Sequence, residues 1–82
     1  MVKCVVFYVD LSGEDSGCAF QIAEKNTIDE AEAYMRDCAE TYLKYEELHY
    51  GHILHGIQGT SPIAIMREGE VDRIYYVNIV ND

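Results

Sequence analysis

His49, His52 and His55 stand three residues apart, with Glu46 a further three upstream. Imidazole nitrogens with a carboxylate nearby are donors that zinc, nickel or copper accept. On an ideal helix each three-residue step turns by about 300°, so His55 would point well away from His49. Only a loop gathers such a set, and Gly51 and Gly56 loosen any frame there. The same spacing is also that of ordinary loop histidines with a response near neutral pH. Ser12, Ser16 and Ser61 have no histidine close in sequence, and no GxSxG, P-loop, GxGxxG or HExxH motif is present. Cys4, Cys18 and Cys38 contain no CxxC pair and lie in apolar patterns. That fits buried, unreactive thiols of raised pKa in a reducing compartment better than a disulfide frame or zinc site. Glu46 and Glu47 read as solvated charges at a helix end. No reaction is named by these residues, no cofactor is implied, and a catalytic role is unsupported.

Charge says more. Fifteen acidic residues oppose six basic ones, a formal charge of -9. The cations Lys3, Lys25, Arg36, Lys44, Arg67 and Arg73 are scattered, so the chain offers no basic patch for nucleic acid or an anionic membrane. A basic protein is the simpler electrostatic match. No apolar run is long enough for a membrane span or a signal peptide, which fits a cytoplasmic protein. Apolar residues make up 49% of the chain and are spread along it, which argues against disorder despite the charge. With 82 residues, the whole of 1–82 reads as a single domain with one sheet and one helix.

The helix is the segment from Asn26 to Tyr45. Thr27 is its N-cap and Glu30 the partner of a capping box. Ile28, Ala31, Met35, Cys38, Ala39 and Tyr42 fall on one side of the wheel and the charged residues on the other. Glu46 continues into the apolar stripe, so the regular helix should end or bend near Tyr45.

Two strands precede it, Val2 to Val9 and Gly17 to Glu24, joined by a polar loop. The expected register pairs Val9 with Cys18, Phe7 with Phe20 and Val5 with Ile22, turning Val5, Phe7, Val9, Phe20 and Ile22 toward the helix. After the helix, residues 46–60 lack a clean period and read as an irregular connection with one short helical turn. Pro62 to Glu68 and Val71 to Val80 read as a hairpin turning at Gly69 and Glu70, with Arg67 opposite Asp72. The result is an α+β fold, ββαββ, with a four-stranded mixed sheet in the order 2-1-4-3 and one helix across one face. That order resembles β-grasp domains, although a ferredoxin-like or split arrangement fits the same elements.

Two surfaces then carry the functional expectation. Cys4, Val6 and Tyr8 of the first strand would lie beside Tyr75, Val77 and Ile79 of the last, on the face without a helix. Left open, this is an apolar patch for a partner or a second copy. It is closed if residues 46–60 fold across it or if the register slips by one. The second surface is acidic: Asp29, Glu32, Asp37, Glu40 and Glu47 along the helix, with Glu14 and Asp15 in the first loop. The individual carboxylates serve solubility, and together they favour a basic partner such as a nuclease or other nucleic-acid-binding protein. In charge and size the chain is similar to small acidic inhibitors, phage anti-defence proteins and antitoxins among them. The expectation is an acidic protein-binding module. The alternatives are a metal-binding or small enzymatic module on the histidines and a homodimer with its acidic helices outside.

Overall fold

The computed structural model describes residues 2–13, 17–53 and 62–81, and within 49–53 the backbone alone. The elements are β1 (Val2–Asp10), β2 (Ala19–Lys25), α1 (Ile28–Glu46), β3 (His49–Ile53), β4 (Ile63–Arg67) and β5 (Glu70–Asn81). They form one α+β sheet in the order β2-β1-β5-β4-β3 with α1 packed on it. The four expected strands hold their expected order.

Two features of the expected sheet are corrected. The segment after the helix contributes a fifth strand, β3, on the edge beside β4. The sheet is antiparallel throughout rather than mixed. Both follow from one reversal: inserting β3 turns the chain once more before β4 and β5. The last strand therefore enters beside β1 antiparallel, where a β-grasp domain has it parallel.

Helix α1 begins where the sequence places it. The Glu30 N–H donates to Thr27 Oγ1 at 3.1 Å, and Asp29 and Glu30 occupy the first turn, at the positive end of the dipole. It ends at Glu47, which takes a left-handed conformation (φ 55°), and the Leu48 N–H closes back on the Leu43 carbonyl at 2.9 Å. Ala31, Met35, Ala39 and Leu43 recur every fourth residue and are buried. They lie on Cys4, Val6, Ile63, Ile65, Tyr75 and Val77, forming the core cluster. None of the described helices is long and apolar enough to cross a membrane.

Two β-bulges set the faces. In β2 the pairing jumps from Phe7↔Gln21 to Val6↔Ala23, leaving Ile22 as the extra residue. In β5 it jumps from Ile65↔Arg73 to Met66↔Val71, leaving Asp72 extra. The β4–β5 turn is Glu68–Gly69, both at positive φ (51° and 83°), one residue earlier than expected. Two consecutive positive-φ residues are the twist-matched hairpin turn that flanking strands prefer. Cys4↔Ile79, Val6↔Val77 and Tyr8↔Tyr75 are direct cross-strand neighbours, as the sequence grouping had them. Their side of the sheet is the opposite of the one expected. They face α1, while Val5, Phe7 and Val9 face away with Ile74 and Tyr76.

Candidate functional site

The outer surface of α1 carries the acidic strip. Asp29, Glu30, Asp37, Glu40 and Glu47 are exposed and Glu32 is half-buried. Arg36 and Lys44 are the cations interleaved with them. Three other cations are bound up in ion pairs: Lys3 with Glu24 at 3.8 Å, Arg67 with Glu46 and Asp72 at 3.2 and 3.1 Å, and Arg73 with Asp10 at 2.6 Å. Along the C-terminal half of the helix, Asp37, Glu40, Thr41, Lys44 and Glu47 border a groove of ≈ 600 Å³, with Leu43 and Leu48 also lining it. Next to it Tyr45 is 85% exposed, the most open of the large apolar side chains described. It lines a second depression with Asp37, Thr41 and Tyr42. A charged rim over an apolar floor suits lysine and arginine side chains, which carry a hydrocarbon stem and a cationic head. Glu14 and Asp15 lie outside the described residues.

The apolar partner surface expected from the sequence is not open. Val6, Tyr75 and Val77 are buried beneath α1, and Tyr8 and Ile79 pack against the same cluster. The flanking strands give the physical reason: Phe20 pairs with Tyr8 rather than with Phe7, and the bulge at Asp72 turns Ile63 and Ile65 to the side of Tyr75 and Val77, so their bulk joins this face.

Beside this core is a polar network that the sequence reading passed over. Asp72 is 2% exposed, yet it is fully engaged. It accepts hydrogen bonds from Ser12 Oγ at 2.7 Å, Arg67 Nε at 3.1 Å and the Tyr42 hydroxyl. Burial by itself would push its carboxyl up. The donors Tyr42, Ser12 and Arg67 and the Arg67 charge outweigh that and hold it below the usual carboxylate range. Burial, and next the bond to Asp72, raise the Tyr42 hydroxyl. Glu46, expected to interrupt the apolar stripe, instead reaches from the helix end to Arg67.

One residue on, Arg73 is stacked between aromatic rings, 3.8 Å from the centroid of Tyr42 and 4.2 Å from that of Tyr8. Its Nε donates to Asp10 and its Nη1 to the Tyr75 hydroxyl at 3.0 Å. Burial disfavours its charge, but Asp10 and Tyr75 more than restore it, so Arg73 stays cationic. The available signal was Asp72–Arg73 itself, two charges inside an otherwise apolar strand. With their partners in hand these groups brace the sheet against the helix, and the geometry gives them no free donor set for chemistry.

The remaining candidates separate. His49 and His52 lie in strand β3 and not in a loop, and His55 lies outside the described residues. Among the described residues no three His, Cys, Asp or Glu side chains come together as a metal cage. Cys4 is buried as expected, but Cys18 is exposed beside the β1–β2 loop. Burial pushes the half-buried Cys38 thiol up, and Asp37 adds to this against the bond to Tyr34. Ser12 serves Asp72, while Ser16 and Ser61 lie outside the described residues.

No family model, curated protein or solved structure matches this chain.

Proposed function

We propose that this protein is an acidic binding module that occludes a basic site on a partner protein, with the outer face of α1 as the contact. The observation that carries the reading is Tyr45, 85% exposed in a depression it shares with Asp37 and Thr41, the two residues that also border the groove of Glu40 and Glu47. A tyrosine in water beside carboxylates pairs an anchor with a steering field, the combination that binding surfaces use. It takes the place of Tyr75, which is buried, and of Tyr8, which packs on the core. A surface that normally holds phosphates offers the matching array of lysine and arginine, so a nuclease or another nucleic-acid-binding protein is the class of partner. Small acidic inhibitors of this kind include phage anti-defence proteins and antitoxins, and charge and size support that placement.

The test is inhibition of a panel of purified basic nucleases, followed by a salt titration against any that respond. Inhibition should weaken steeply as salt rises. Asp37→Lys with Glu40→Lys should weaken it by at least about tenfold, mainly through slower association, and Tyr45→Ala by a similar factor through faster release. His52→Ala should leave it unchanged. Inhibition that survives both helix variants would sink the reading.

A further inference from the structure

The side of the sheet facing away from α1 is largely apolar as well, interrupted by Asn78 opposite Val5 and by Gln21 opposite Phe7. Alternation along β1 turns Phe7 and Val9 to this side, where they pair with Tyr76 and Ile74 of β5. Ala64 and Met66 of β4 extend it by a third strand, with Ala64 opposite Ile74. Phe7 and Tyr76 stack at its centre, ring centroids 5.3 Å apart and 12° from parallel. Val5 and Ala64 are buried there, yet neither belongs to the cluster under the helix. Phe7, Val9, Ile74, Met66 and Tyr76 are only partly covered, and no described element packs on them. An antiparallel sheet with one wet face alternates apolar and polar residues, and β1 and β5 do not.

We propose that two copies of this chain pack back to back through this face. Charge distribution selects a second copy over a charged partner. The chain has 15 acidic residues, but the central three strands place none of them on this side. Its charged neighbours are Lys3 and Glu24 at the rim, 3.8 Å apart. The acidic strip belongs to α1, on the other face, so stacking two sheets about 10 Å apart leaves both helices outward and their charges far from each other. Strand length and spacing give β1, β4 and β5 a face of about 430 Å² per copy in projection, so two copies bury about 850 Å², the size of a weak, reversible interface. The dimer should therefore form at moderate concentration and dissociate on dilution. It also leaves the acidic groove of each copy free, so it goes beyond the partner-binding reading without depending on it.

Sedimentation or light scattering of the full chain from about 1 μM to about 1 mM tests this. The mass should rise from one chain toward two across that range. Higher salt should strengthen the association, because it screens the repulsion between two acidic bodies. That sign is opposite to the one expected of the α1 surface, so the two readings fail separately. Phe7→Lys should abolish the dimer. Val9→Lys, nearer the strand end, should weaken it at least tenfold with the circular dichroism of the wild type retained, which covers the case in which the Phe7 variant does not fold. Glu40→Lys should leave dimerisation intact. A wild-type monomer throughout the range, a dimer that survives Val9→Lys in folded protein, or one lost with Glu40→Lys would each overturn the proposal.

Discussion

Replacing Asp72 by Asn removes one charge and changes almost no volume, so its cost isolates the buried network. A hydrogen bond to a charged group contributes about 1.5–3 kcal/mol. Three donors converge on Asp72, but they do not count equally. Ser12 is exposed and the Arg67 side chain is 42% exposed, so both regain water when the carboxylate is neutralised. Tyr42 is half-buried and loses its charged acceptor. The expected cost is therefore close to one such bond, about 2–3 kcal/mol at pH 7. For a domain of this size that is about 10–20 °C in Tm. The carboxyl is depressed in the folded state, so its contribution is present above the unfolded value of about 3.9 and is lost as pH falls through the lower folded value. Urea denaturation of wild type and Asp72→Asn at a series of pH values should thus show a gap that is constant near neutrality and closes below about pH 4. The other carboxylates titrate in both proteins and cancel in the difference. A gap under about 0.5 kcal/mol at pH 7, or one that persists unchanged to the acid limit, would refute the assignment of Asp72 as a charged structural acceptor.

Two further variants test neighbouring features. Arg73→Lys keeps the charge but loses the planar group stacked between Tyr8 and Tyr42 and the directed bond to Asp10; it should cost about 1–2 kcal/mol in urea denaturation, and an unchanged midpoint would show that charge alone matters there. Glu68→Asn places a residue tolerant of positive φ at the first turn position (φ 51°); it should raise stability by about 0.5–1 kcal/mol, and a lowered Tm would contradict the turn geometry.

Local signals in the chain were sufficient for the local elements. Thr27 with its following acids sets the start of α1, the recurrence of Ala31, Met35 and Ala39 sets its buried side, and Gly69 marks the last hairpin. Grouping Cys4, Val6 and Tyr8 with Tyr75, Val77 and Ile79 also followed from pattern, because residues paired across antiparallel strands must share a face. The acidic helix surface was legible for the same reason: a period of about 3.6 residues separates its carboxylates from its core positions whatever the helix packs on.

Choosing which face the helix covers lay beyond the pattern, since β1 and β5 are apolar on both sides and alternation is satisfied equally by either choice. That choice came from the flanking strands: Phe20 pairs with Tyr8 rather than with Phe7, and the bulge at Asp72, a single-residue insertion with no periodic signature, turns Ile63 and Ile65 to the side of Tyr75. The bulge at Asp72 also lets Asp72 and Arg73, adjacent in sequence, both meet partners on α1, Asp72 through Tyr42 and Arg73 through the same ring. Strand direction had the same origin: β3 is a short edge strand rich in His and Gly, recognisable only once β4 lies beside it, and its one extra reversal makes the whole sheet antiparallel. Sequence by itself determined α1, four of the five strands and the acidic side of the helix, because those depend on neighbours within a few residues. Tertiary structure alone decided the register, the buried face and the site of Tyr45 as the exposed aromatic, because those depend on pairings between strands far apart in the chain.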